Sequence, residues 1–281
     1  MINLSAMVKQ GTEALKNKAV AAILLGPSGA GKSRACGTFG VKTLYLHTSS
    51  EAHGAASAAV GGSEILPICI DVEDGKTLSA DDAYAKLLNI LSAKDQIKAL
   101  GVGAIALDGA TEIESVIMGT TAWKQRVAAE YKGVASYAGP VTLGLFRPIL
   151  TALQALQRDL NIHYALTCIL NVKELGESGA ITNAEPKLKG FDVATGIVQQ
   201  FPDVLVIGQV SDGERSRPAF QLGAHVHKTS KDFTTKEVRK LQNFWVRVTG
   251  ADISEAPDML APNMSRIVEI KAAGRYVKKG S

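Results

Sequence analysis

The residues Gly26-Pro27-Ser28-Gly29-Ala30-Gly31-Lys32-Ser33 match the pattern G-x-x-x-x-G-K-[ST] without a gap. Glycines in such a stretch let the backbone curl until successive N–H groups converge on phosphate oxygens, and the helix that follows adds the positive end of its dipole. Lys32 is spaced to reach the β- and γ-phosphates of a nucleotide and Ser33 to ligate Mg²⁺, with the expected contact set running from Gly26 through Arg34. A bare strand-to-helix turn would need neither the lysine nor the hydroxyl. An export signal is the competing reading, because Lys16 and Lys18 precede the apolar run Ala19 to Leu25. That run is short and merges with the glycine turn instead of a cleavage site.

A phosphate cradle also needs a carboxylate beside its metal. The stretch "GVGAIALDGATEIE" supplies an apolar strand, Val102 to Leu107, that ends in Asp108. Alone this is weak, since many buried strands end in an aspartate that serves the turn. Paired with the glycine loop it gives the second metal partner, Asp108 beside Ser33. Hydrolysis further requires a group that orients or deprotonates water, and three glutamates compete for that role: Glu51, then Glu112, then Glu114.

The elements that must position these groups are legible in outline. Short runs rich in Val, Ile and Leu alternate with segments of helical period, which predicts an α/β fold with a mainly parallel sheet and crossover helices. The expected strands are Val20 to Leu25, Thr43 to Leu46, Ile65 to Ile70, Ala104 to Leu107, His163 to Ile169 and Val204 to Ile207. Helices are expected over Asp81 to Leu91, with Ser79 as cap, and over Arg147 to Leu160. The stretch "VIGQVSDGERSRPAFQL" predicts an antiparallel hairpin at the sheet edge. A short helix is expected near Ser265 to Lys271, followed by a basic tail. The domain reading is an N-terminal extension over 1–18, a nucleotide-binding core over 19–250 and a C-terminal extension over 251–281.

Composition narrows the class. The 281 residues are long enough for one large domain, and 31 Lys and Arg against 27 Asp and Glu leave a formal charge of +4. That excess permits a polyanionic partner without requiring one. Cys36, Cys69 and Cys168 stand alone, without C-x-x-C spacing, so a disulfide framework and a zinc knuckle are both excluded and a reducing cytoplasm fits. His225 and His227 lack a third ligand at metal spacing and read as ordinary strand histidines. No run approaches the length that spans a bilayer, so no membrane partner is expected.

With both motifs in place, the order of the remaining pieces resembles the RecA-like ATPases, and more closely the phage nucleotide-binding P-loop proteins that include core-only single-strand annealing ATPases. The resemblance covers roughly Ala19 to Phe233. It aligns "LHTSSEAHG" with an acidic "D-T-E"-like loop, so that Glu51 inherits the water-activating role while His47 stands where an acid is usual. It aligns Asp108-Gly109-Ala110-Thr111-Glu112 with a "DS-x-TEL" signature, and it puts Asn171 of "CILNVKE" at a γ-phosphate sensor with Lys173 following. The segment "EPKLKGFDVATGIVQQFPDVL" is similar to the family's "P-x-L-x-G" region.

What the resemblance implies is an Mg²⁺-dependent ATPase in phage recombination or annealing, with ATP as nucleotide and single-stranded DNA as partner. It further implies a homo-oligomeric ring or filament, with a phage single-stranded-DNA-binding protein as an accessory. The loop "ELGESGAITNAEPKLKG", through Lys187 and Lys189, would meet DNA phosphates, while a second basic segment holding Lys124, Arg126 and Lys132 beside Trp123 and Tyr131 reads equally as another such surface or as a solvated helix face. Lys228 and Lys231 would reach a neighbour's site as trans-acting cations. Two other readings stay open. One is a P-loop kinase for a nucleotide or other small molecule, with Arg215 and Arg217 on a lid. The other is a nucleotide-gated assembly factor with negligible hydrolysis.

Overall fold

The computed structural model describes residues 19–175, 181–189, 191–211, 216–220 and 262–272. Six strands form a parallel sheet: β1 (Ala21–Gly26), β2 (Thr43–His47), β3 (Ile65–Cys69), β6 (Ala104–Asp108), β7 (His163–Leu175) and β9 (Asp203–Ser211). Their order across the sheet is β3-β2-β6-β7-β1-β9. Two antiparallel strands are added to it: β10 (Ser216–Phe220) along β9, as the hairpin motif predicts, and β8 (Ile181–Pro186) along the far end of β7. A separate two-stranded ribbon, β4 (Val72–Glu73) with β5 (Lys76–Thr77), follows β3. No helix among the described residues is long and apolar enough to cross a membrane.

Period-two alternation divides the strand side chains between two unlike faces. One face carries Ile23, Leu25, Leu44, Leu46, Ile105, Leu107 and Leu166. These bulky residues meet the large helical layer of α3 (Ala80–Ser92), α4 (Lys94–Ala99), α5 (Ala110–Gly119), α6 (Thr121–Tyr131), α7 (Gly139–Leu160) and α8 (Phe191–Val198). The other face offers Ala22, Ala104, Ala106 and Ala165, whose small side chains let helices approach closely. Against it lie α1 (Lys32–Cys36), α2 (Ala52–Ala59) and α9 (Met264–Ala272), with Ala35, Cys36, Ala58, Met264 and Ile267 all buried there. The amides of Met264 and Ser265 bond to Thr38 just past α1, which docks the C-terminal helix on this face.

Two expectations change in extent. The helix expected from Arg147 begins earlier, at Gly139, and carries Pro148 in its interior. The strand expected to end at Ile169 continues to Leu175, because beyond that point its backbone pairs with β8. Leu170 is opposite Pro186 and Asn171 opposite Glu185.

The segment that returns from β8 is held by α5, the helix that follows Asp108. Thr111 donates to the Lys187 carbonyl at 3.0 Å, and both Glu114 oxygens accept the Lys189 amide at 2.8 and 2.9 Å. Glu114 is 1% exposed, and burial pushes its carboxyl up to about 7, against the pull of the Lys189 amide and charge. The unfolded chain releases this proton near 4.5 and the folded chain near 7, so the unfolded state binds fewer protons in between and stability falls as pH rises through that window. Glu114→Gln, which keeps one oxygen for the Lys189 amide, is expected to flatten the pH dependence by on the order of 2 kcal/mol. Urea denaturation between pH 5 and 8 measures it, and an unchanged slope would show that the buried proton belongs elsewhere.

Candidate functional site

The glycine loop leaves β1 at Gly26 and enters α1 at Lys32, with Gly29 and Gly31 at φ 77° and 90°, a left-handed conformation that only glycine adopts at little cost. Lys32 is buried, and its Nζ donates to the carbonyls of Gly26 at 2.9 Å and Pro27 at 2.8 Å. An ammonium has three N–H donors, so this tether leaves a third for a ligand in the loop. Burial lowers the Lys32 pKa, and the charge of Asp108 opposes that shift. Ser28, Gly29 and Arg34 are exposed at the rim, while Pro27, Gly31 and Ser33 are half-buried.

Asp108 is the hub of the site. It pairs in register with His47 on β2, and the residue before it, Leu107, pairs with Leu166 on β7. Alternation therefore turns Asp108, Tyr45, His47 and Thr167 toward the small-residue face, where α1 lies. Ser33 donates to Asp108 Oδ2 at 2.8 Å, the Tyr45 hydroxyl donates to the same oxygen, and the Thr167 hydroxyl donates to Oδ1. Thr167 in turn accepts the Gly109 amide at 2.8 Å. Burial, then the Asp108 charge, pushes the Tyr45 phenol far above its ordinary range, so it serves as a donor.

Two of the three candidate glutamates gather here. A Cβ placed on Gly109 would lie 3.1 Å from Glu112 Cγ and 3.5 Å from Glu51 Cγ, so both side chains flank that glycine. Burial, then the charges of Asp108 and Glu112, raises the Glu51 pKa, while Lys32 and His47 pull it down. Glu114 is committed to Lys189 instead. His47 is buried, with its Nδ1 2.8 Å from the Thr48 carbonyl. Asn171 lies exposed two residues beyond Ile169, which pairs with Gly26. Thr167, level with Leu24, is the β7 side chain that reaches Asp108.

The basic residues fall elsewhere. Lys187 and Lys189 are exposed on the segment clasped by α5. In the second basic segment Trp123 is buried, with its indole donating to Thr142, and Arg126 pairs with Glu130, while the nearby Tyr137 is 70% exposed. Cys36 and Cys168 are buried, and desolvation raises both thiols, the latter to about 12, which fits inert packing. His225, His227, Lys228, Lys231 and Arg215 lie outside the described residues, as does the 1–18 extension.

The donor set fits a nucleotide with Mg²⁺. Among the described residues no three His, Cys, Asp or Glu side chains are arranged to hold a metal. A magnesium ion here would take Ser33 and the Asp108 shell from the protein and the rest from phosphate oxygens and water, as this ion commonly does. The chain matches no protein-family model and no curated protein.

One close approach guards the hub. Gly54, buried on α2, faces Asp108 Oδ2, the Tyr45 hydroxyl and Ser33 Oγ so tightly that a Cβ would overlap the first two. Gly54→Ala is expected to cost about 1–3 kcal/mol in a urea melt through overpacking, and to loosen the Ser33–Asp108 bond. Wild-type stability in this variant would contradict the packing described.

Proposed function

We propose that the chain is a RecA-like, Mg²⁺-dependent ATPase that acts on single-stranded DNA. The observation that carries the reading is the bond from Ser33, the last residue of the glycine-loop motif, to Asp108, the acid that ends a strand two places from β1 in the sheet. The intervening strand, β7, is the one to which the resemblance assigns the γ-phosphate sensor, and that order supports a RecA-like arrangement.

The roles follow from the geometry. Lys32, fixed to the two loop carbonyls, would direct its remaining N–H at the terminal phosphates and oppose charge that builds there. Ser33 and Asp108 would hold the magnesium, which when bound polarises the phosphoryl oxygens. Glu51 would orient and deprotonate the attacking water. Its proton affinity is raised by burial first and then by the charges of Asp108 and Glu112, the direction that suits a general base. Asn171 would approach the γ-phosphate from the β7 extension, Arg34 would contact the nucleotide at the rim, and a neighbouring subunit in a ring or filament would add Lys228 or Lys231.

Lys32→Ala and Asp108→Ala are each expected to reduce ATP turnover by on the order of 10²-fold or more. A coupled ADP-release assay at saturating Mg²⁺ measures this. Near-wild-type turnover in either variant would refute the site.

The DNA partner is tested separately, by fluorescence anisotropy with labelled oligonucleotides at several salt concentrations. Binding is expected to weaken with salt, and the paired change Lys187→Ala with Lys189→Ala to lower the slope of log K against log salt by about 1–2. Absence of binding at low salt would remove the recombination reading.

One feature favours the kinase alternative. A Cβ on Gly26 would meet the Ile207 carbonyl at 2.5 Å, and β9 continues four residues past that level to Ser211, where it pairs with β10. The hairpin thus rises beside the glycine loop, where a lid would sit. ADP formation stimulated by a small phosphate acceptor, and not by DNA, would establish that reading instead.

A further inference from the structure

Glu51 sits on a single 3-10 turn, Ser49–Glu51, between β2 and α2. Such a turn supplies few bonds of its own, and its first amides need acceptors from elsewhere. Thr48 occupies the capping position but makes no side-chain capping bond there. Its hydroxyl lies 2.8 Å from Ser50 Oγ instead. The cap comes from the next strand. Asp71, just past β3 and 22 residues away in sequence, accepts the Ser49 amide on Oδ1 at 2.7 Å and the Ser49 hydroxyl on Oδ2 at 2.8 Å.

We propose that Asp71 is a positioning residue for Glu51: by capping the turn from the edge of the sheet, it fixes where the Glu51 carboxylate stands beside Gly109. The inference deepens the ATPase reading above and rests on it. Nothing on the nucleotide side of Asp108 needs Asp71, since its bonding partners are Ser49 and Cys69.

The carboxylate is itself well fixed. Cys69, the last residue of β3, donates its thiol to Asp71 Oδ1 at 3.1 Å, and the Ile70 amide donates to the His47 carbonyl at 2.8 Å, so the end of β3 is stitched to the end of β2. Burial alone would raise the Asp71 pKa, but the donors from Cys69 and Ser49 hold it below the ordinary carboxylate range. It therefore stays an ionised acceptor for both Ser49 groups across the neutral range. Register places the cap, because His47 is paired with Asp108 on one side and with Cys69 on the other. The metal acid and the capping acid thus flank the same β2 terminus from which the Glu51 turn departs.

The experiment is a double-mutant cycle in the full chain, with Asp71→Ala, Asp71→Asn, Glu51→Gln and the pair Asp71→Ala/Glu51→Gln assayed for ATP turnover beside wild type. Asp71→Ala is expected to lower kcat about 10-fold with KM for ATP within about 2-fold, because the glycine loop is untouched. Asp71→Asn retains an oxygen for the Ser49 amide and is expected to recover most of the rate. In the Glu51→Gln background, removal of Asp71 is expected to cost nothing further, as befits two residues acting as one unit. A purely structural role would instead lower the rate equally in both backgrounds, or raise KM together with the fall in kcat, and either result overturns the proposal. Wild-type kcat in Asp71→Ala, with Glu51→Gln inactive, overturns it while leaving the ATPase reading standing. Full activity in Glu51→Gln removes the role given to Glu51 and this inference with it, and no turnover in wild type removes the ATPase reading as well. If Asp71→Ala does not fold, Asp71→Ser, whose shorter side chain leaves the Ser49 amide without its acceptor, carries the same comparison, with Asp71→Asn kept as the rescue.

Discussion

The arrangement turns on one buried carboxylate that three separated parts of the chain must satisfy. Asp108 is 3% exposed, and an ionised acid at that depth is tolerated only when its lone pairs are met. Hydroxyls from Ser33 on α1, Tyr45 on β2 and Thr167 on β7 meet them. Each bond ties a different element to the end of β6, so the glycine loop, the Glu51 turn and the β7 extension share one origin. Gly54 keeps α2 from occupying the space those hydroxyls need. A hub of this kind is costly if half built, because a missing donor leaves charge uncompensated in a low-dielectric setting.

The two faces of the sheet divide the labour. On the α1 face the strands present alanine beneath the helices, which brings Lys32 and Ser33 within side-chain reach of Asp108. On the opposite face larger residues build the main core, and there α5 takes a double role. Its N-terminal turn follows Asp108 directly and carries Glu112, while Thr111 and Glu114 hold the segment of Lys187 and Lys189. The glycine-loop side of Asp108 and the exposed basic segment are therefore joined through one helix.

How much of this the sequence shows depends on how local each signal is. The glycine loop and its helix are contiguous, so Gly26 to Ser33 can be read outright, and Asp108 follows from an apolar run that stops at an acid. Tyr45 and Thr167 are legible only through register, because they meet Asp108 across 63 and 59 residues of chain. A weak signal exists for both: a tyrosine and a threonine inside otherwise apolar strands must find partners for their hydroxyls. The extension of β7 is similar. "LNVK" alternates apolar and polar residues as a half-buried strand does, but only pairing with "ITNAEP" decides that the strand continues past the sheet. The early start of α7, ahead of Arg147, is hard to read because Pro148 removes one amide bond inside it, and the burial of Phe146, Ile149, Leu150 and Leu153 carries the helix through that position.

Charge at the hub couples the neighbouring carboxylates to one another. Asp108, Glu51 and Glu112 stand close enough for the two others to raise the proton affinity of Glu51, with Lys32 and His47 pulling the other way. A carboxylate in that field holds its proton more readily than in water, which makes it a stronger base once the proton leaves and a less populated one beforehand. Adding a divalent charge beside Ser33 and Asp108 cancels much of the local negative field, and elementary electrostatics then lowers the Glu51 pKa. Adding phosphates without the ion does the reverse. In the proposed reaction the two charges oppose each other at Glu51, since the triphosphate brings more negative charge than the ion brings positive, and the ion would offset part of the rise that the phosphates alone would impose on the base.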